Sequence, residues 1–493
     1  MNPSGPGRTT RVTRERAAYE ELIGRSREQS LIASCSSILG WDEQTYMPPG
    51  GASYRGEQLA MLAGLHHDRA TDPRIGELLA TVETSALVGD PESPEAVNVR
   101  ELRRTFDRLT RLPRSLVEEL ARVTSKAHLE WVAAKRDRDF NTLRPSLETI
   151  FQLKRDEAAC LGGGDEPYDA LLDEYEPGAK SQDLAAVFSA LREELVPLVV
   201  SITEAGRRPQ TEILHRDYPV DRQRVFAEAA ASAIGFDFHR GRLDTTEHPF
   251  CTGIGPGDTR ITTRYDVRNF SDAFFGVLHE VGHGLYDQGL DPEHHGTPMG
   301  EAISLGVHES QSRMWENIVG RSRSFWTYWF PLARQIFRDA LRDVTVEQFH
   351  FAINEVKPSL IRVQADEVTY NLHVLVRFEL ERALLAGDLA VSDLPGAWND
   401  AYASHLGVSP AHDGEGCLQD VHWSAGLVGY FPTYTLGNVF AAQLFHQAWD
   451  DLGDLSGAFS SGRFDGLREW LRTHVHRHGR RFHSTQLLTR LTG

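Results

Sequence analysis

The sequence predicts a mainly α-helical fold, on three observations. Apolar residues recur at helical spacing through most long segments, helix start and stop signals frame several of them, and strand signals are few. The clearest periodic stretch is Leu184, Val187, Phe188, Leu191, Leu195 and Val199, which puts one face of a helix in a core. Thr345 to Gln348 has capping-box spacing ahead of Phe349, Phe351, Ala352 and Val356, and Pro358 marks a stop. A further helix is expected from Asp465 through Leu467, Trp470 and Leu471 to Gly479, a residue suited to ending it. The best strand candidate is Arg260 to Val267 (RITTRYDV), rich in β-branched residues and preceded by Gly253, Gly255, Pro256 and Gly257. No repeat and no Pro/Ser-rich linker divides the chain. The loops at 48–51, 162–164 and 413–416 are too short to mark boundaries, so one domain over residues 1–493 is expected.

The composition supports a folded chain and narrows its partners. With 493 residues, 40% of them hydrophobic, and 9 Trp, 23 Phe and 13 Tyr, there is ample material for a core. A formal net charge of -18 repels phosphate backbones and anionic membrane surfaces, so neither nucleic acid nor membrane is an expected partner. The basic run from Arg472 to His483 reads as the solvated face of a last helix. Four cysteines, Cys35, Cys160, Cys251 and Cys417, are far apart and lack CxxC spacing, which suits a reducing compartment. The polar stretch Met1 to Arg8 has no signal-peptide core, and no apolar run of about 18 residues follows. A cytoplasmic location is expected.

Residues 279–283 read HEVGH. On a helix, histidines at i and i+4 point to one side and can reach one ion. Phe274, Leu278, Val281 and Leu285 give the surrounding segment a helical period, and Ser271 and Asp272 offer it a start. Chance would produce HExxH only ~0.1 times in a chain of this composition. A catalytic zinc needs three protein ligands and one open position. Tyr286 and Gly289 stand where the extended HExxHxxGxxH pattern needs Gly and His, so the third ligand must come from elsewhere. In Ser304 to Asn317 (SLGVHESQSRMWEN), Glu309 is the candidate and His308 the competitor, which spacing does not separate. Glu280 is placed to take a proton from an activated water and pass it to a leaving amine. Imidazole and carboxylate ligands accept several divalent ions, so zinc is argued from site type.

Six short motifs occur in order: HPF at 248–250, DTRIT at 258–262, HEVGH at 279–283, HESQ at 308–311, IRVQAD at 361–366 and GCLQDVHW at 416–423. With WDEQTYMPPGG at 41–51, they make the chain resemble the Taq-type thermostable metallocarboxypeptidases over most of its length. The resemblance implies a large helical metallopeptidase with a deep groove and a small β-sheet beside the active site. It also implies a C-terminal exopeptidase of broad specificity, commonly a homodimer, acting on peptides with a free C-terminus. It settles the third ligand as Glu309; Val281, where a smaller residue is often found, is a departure at a non-ligand position.

An exopeptidase of this kind must hold a free carboxylate, for which an arginine fork is suited. Arg362 is the first candidate and Arg260 the second. His422, Tyr434, Gln419 and His248 are candidates for oxyanion donation and substrate contact. An exposed edge of RITTRYDV is expected to align the peptide backbone. Cobalt is a possible substitute for zinc. The nearest alternative is an oligopeptidase or dipeptidase with the same zinc chemistry, separable by its cleavage products. An aminopeptidase is disfavoured because no GxMEN-like motif is present, and a non-enzymatic zinc protein would have no use for Glu280.

Overall fold

A computed structural model describes residues 6–164 and 166–493, with side chains from residue 13 onward. The start of the polar N-terminal stretch lies outside the described residues. The protein is mostly helical with one three-stranded sheet among the described residues. The fold divides into two compact units, neither contiguous in sequence. The first joins Met1–Thr110, Glu212–His350 and Phe440–Gly493; the second joins Arg111–Thr211 and Phe351–Val439.

In the first unit the long helix α1 (Pro6–Thr45) buries Tyr19 and Leu22 against Ile75, Leu78, Leu79 and Val82 of the helix Pro73–Val82. The sheet has strands β1 (Gly241–Thr245), β2 (Cys251–Gly255) and β3 (Asp258–Thr263) in the order β1-β3-β2. β1 runs parallel to β3 with Leu243 opposite Ile261, and β2 runs antiparallel to β3. Strand β3 therefore starts two residues before the predicted Arg260 and stops at Thr263, short of the predicted Val267. The carboxylate of Asp266 accepts from the Arg268 amide (2.8 Å), closing a turn where the strand was expected to continue. Because β3 is central, both its edges are paired, and the expectation that RITTRYDV offers an open edge is corrected; the outer strands are β1 and β2. Both are short and glycine-containing, which hid them in the sequence.

Behind the sheet lies helix α2 (Phe270–Gly289), capped by the Asn269 side chain, which accepts from the amides of Ser271 and Asp272. Its start is thus one residue before the polar pair read from the sequence. Phe270 and Phe274 of α2 join Phe226, Trp326, Phe337 and Phe349 in a buried aromatic cluster that fixes the helix from below. Gly282 faces the short helix α3 (Leu305–Arg313) so closely that a Cβ there would meet the Gln311 carbonyl and Ser312 Cα at 2.5 Å. After α3 the chain makes a π-helical turn, Met314–Val319.

The other sequence readings fare unevenly. The capping box at 345–348 forms, with Thr345 and Gln348 bonding reciprocally at 2.9 and 3.2 Å. The helix Ser181–Glu204 buries Leu184, Phe188 and Val199, but Val187 is exposed, so its apolar stripe is narrower than periodicity implied. The helix beginning at Asp465 ends at His474 rather than Gly479. Gly479 sits in a following turn at φ 53°, against the Met299 carbonyl, where no Cβ fits.

In the second unit, helix α4 (Glu367–Ala386) is buried on most of its faces and is capped by Asp366, which accepts from Val368 and Thr369. Tyr168 and Phe188 each pack edge to face against Phe378 of this helix. No described helix is long and apolar enough to cross a membrane.

Candidate metal centre

Two successive elements of the first unit build one cluster. α2 supplies His279 and His283 one turn apart, and the close approach permitted by Gly282 brings Glu309 of α3 to them. Their donor atoms all lie within 4.8 Å of one another. Glu309 Oε2 is 3.7 Å from His279 Nε2 and 3.4 Å from His283 Nε2. Its other oxygen, Oε1, accepts from Arg313 Nε at 2.6 Å, which leaves Oε2 turned to the imidazoles. Two imidazole nitrogens and one carboxylate oxygen, all lone-pair donors, are the set that a catalytic divalent ion takes with a fourth position open.

Both imidazoles are held from behind. His279 Nδ1–H donates to Glu316 Oε2 at 2.9 Å, and Glu316 sits on the π-helical turn between Arg313 (3.4 Å) and Arg321 (3.5 Å). When the ring is neutral, such a carboxylate holds its proton on Nδ1 and leaves Nε2 as the lone-pair nitrogen. His283 Nδ1 lies 2.6 Å from His308 Nδ1. His308, the competitor ligand of the sequence reading, is therefore placed behind His283.

The electrostatics of the cluster follow from burial and charge. Burial, with Glu309 and Glu316 nearby, pushes the Glu280 carboxyl up to about 7 against the pull of His279. Burial lowers both imidazoles, but Glu309 and Glu316 outweigh it at His279 and raise that group to about 9, while His283 falls to about 4. Against burial, Arg313 and the histidines hold Glu309 well below the carboxylate range, and Glu316 sits at about 2.

Two more candidates belong to the first unit. Arg260 on β3 grips Asp258 through two bonds (2.9 and 2.8 Å) and lies over the Trp41 ring at 4.2 Å. His248 is exposed between β1 and β2.

The remaining four come together in the second unit. Arg362, only 5% exposed, donates from Nε and Nη2 to Asp420 Oδ1 (3.1 and 2.8 Å) and from Nη1 to the Tyr370 hydroxyl (2.9 Å). A fully buried Arg377, not anticipated from the sequence, donates to Asp420 Oδ2 at 2.6 Å. One carboxylate thus serves two guanidinium groups, which hold Asp420 well below its usual range despite burial. Gln419 accepts from the Arg362 amide at 2.9 Å and donates to the Leu360 carbonyl at 3.0 Å, so its amide is engaged in fixing this loop. His422 Nε2 is 3.4 Å from the Tyr434 hydroxyl, and burial lowers His422 to about 4, so its ring is neutral.

Comparison with known proteins agrees over nearly the whole chain. Residues 21–493 match the model of the carboxypeptidase Taq (M32) metallopeptidases. The chain is similar to "Thermostable carboxypeptidase 1" of Thermus thermophilus, 51% identical over 97% of this chain and 95% of that one. It is 36% identical to "Carboxypeptidase 1" of Bacillus subtilis over 96% of this chain and 95% of the relative. Among solved structures, the M32 carboxypeptidase of Deinococcus radiodurans superposes with a TM-score of 0.94 at 42% identity, covering 97% of this chain and 95% of the other.

Proposed function

The chain belongs to the carboxypeptidase Taq (M32) metallopeptidase family and is a metallocarboxypeptidase, and from that premise we propose the residues and the ion by which it works. We propose that it releases C-terminal amino acids from peptides with broad specificity, and that His279, His283 and Glu309 hold one zinc ion. The observation that carries this reading is the convergence of His279 Nε2, His283 Nε2 and Glu309 Oε2 next to the buried Glu280. When bound, the ion supplies Lewis acidity, polarising the scissile carbonyl and making a water acidic enough to ionise near neutral pH. Glu280, with its carboxyl near 7, takes that proton and returns it to the leaving amine. Cobalt suits the same donors.

The excess of guanidinium over carboxylate around Asp420 supports anion binding in the second unit. We assign it, through Arg362, to the free carboxylate of the substrate's last residue. Gln419 acts by positioning Arg362, and His422 and Tyr434 are assigned as donors to the developing oxyanion. Arg260 and His248 are assigned as contacts to the peptide. Four free cysteines support a cytoplasmic location, and the homodimer rests on family resemblance, testable by sedimentation.

The decisive experiment is mass spectrometry of a free peptide and its C-terminally amidated twin, with a chelator control and Glu280→Gln. Stepwise loss of C-terminal residues from the free peptide alone, stopped by chelator and by the variant, is expected. Internal cuts in both peptides would overturn the carboxylate recognition; activity surviving chelation would overturn the metal.

A further inference from the structure

His283 differs from His279 in what stands behind it. Its Nδ1 meets another imidazole, His308 Nδ1, at 2.6 Å, and the far nitrogen of that ring, His308 Nε2, meets Asp287 Oδ1 at 3.1 Å. Asp287 lies one turn after His283 on α2, so His308 of α3 is wedged between two residues of the neighbouring helix. The carboxylate is hemmed in from the sheet side. Cys251 Sγ of β2 is 3.9 Å from Asp287 Oδ2, and a Cβ at Gly253 would come within 3.1 Å of the same oxygen.

With both rings neutral, a single arrangement of protons satisfies this chain. The Asp287 carboxylate only accepts, so His308 carries its proton on Nε2 and presents a lone pair at Nδ1. His283 must then carry its proton on Nδ1, which leaves the lone pair of Nε2 facing Glu309, 3.4 Å away. With Asp287 removed, His308 is free to adopt the other tautomer and point an N–H at His283, driving the His283 proton onto the nitrogen that must bind the ion.

We propose that His308 and Asp287 are positioning residues that fix the tautomer and ring orientation of His283 for metal binding. The inference rests on the metal site proposed above. It assigns the histidine of the HESQ motif a role behind the ligand set rather than within it.

The test is zinc affinity by competition with a chromophoric chelator, alongside the melting temperature of the metal-free protein and the visible spectrum of the cobalt form. His308→Ala and Asp287→Ala are expected to weaken zinc by about 10- to 100-fold while the metal-free melting temperature holds. His308→Asn, whose amide oxygen takes about the place of Nδ1, is expected to recover most of the affinity. The cobalt spectrum of His308→Ala should keep the intensity of an unchanged ligand number. Wild-type affinity in His308→Ala, no rescue by asparagine, or a cobalt spectrum showing a lost ligand would each overturn the inference. Glu309→Gln separates the two levels: if it binds zinc as tightly as the wild type, the metal site itself is unseated.

Discussion

Glu381 lies fully buried in the second unit and receives three donors: the Tyr168 hydroxyl (2.7 Å), Trp423 Nε1 (2.7 Å) and the Gly429 amide (3.1 Å). Burial outweighs these donors and lifts its carboxyl from 4.5 to about 7. A folded-state value above the unfolded one means that this group's stabilisation is complete below about 4.5 and is lost as pH rises through about 7. At about 1.4 kcal/mol per pH unit, the loss is about 3 kcal/mol. In the protonated form the acid O–H can donate to the Tyr168 oxygen, with the Tyr168 proton turned away, while the two carboxyl oxygens still accept from Trp423 and Gly429. Glu381→Gln cannot match this. Turning its amide nitrogen toward Tyr168 orphans the Gly429 N–H, and turning it the other way orphans Trp423, at a cost of about 1–3 kcal/mol. The variant should therefore be less stable than the wild type at pH 5 and nearly equal to it at pH 8. Calorimetric melts of the chelator-treated proteins at both pH values measure this and keep metal loss out of the comparison. If the deficit is the same at pH 5 and pH 8, the reasoning is wrong, because Glu381 would then be in one ionisation state throughout.

Other substitutions probe the first unit. Glu316→Gln should weaken metal binding by about 10- to 100-fold, measured by chelator competition, since it removes the charge behind His279. Gly282→Ala should force α3 away from α2 and destabilise the protein by about 1–3 kcal/mol with loss of metal content, read by urea melts and elemental analysis. Trp326→Ala, at the centre of the aromatic cluster, should cost about 3–5 kcal/mol in urea melts without altering the ligands.

The parts of this site legible in the sequence are those that local geometry determines. The i, i+4 spacing of His279 and His283 needs only a helix to converge, whereas the close approach of α3 at Gly282 emerges only from the packing. Glu316 was not legible because its phase depends on a π-helical turn, which no apolar periodicity announces. The second guanidinium on Asp420 was hidden for a different reason. Arg362, Arg377 and Asp420 lie on three separate segments, and only tertiary packing tells which arginine shares which acid. The strand boundaries and the end of the helix at His474 were decided by side-chain turns and a glycine pressed against a carbonyl, contacts with no local periodic trace.

The interleaving of the two units bears on how the chain is made. The unit that carries His279, His283 and Glu309 draws on the first stretch of the chain, its middle and its last stretch, Phe440–Gly493. Residues 440–493 leave the ribosome after every other part of both units. His476 Nε2, buried in that segment, meets the Gln311 side chain at 2.9 Å, two residues from Glu309. During synthesis the residues of the second unit, 111–211 and 351–439, are therefore all available before the metal-bearing unit can be completed. A message truncated beyond residue 439 would yield a chain with every metal ligand present and the scaffold around α3 unfinished.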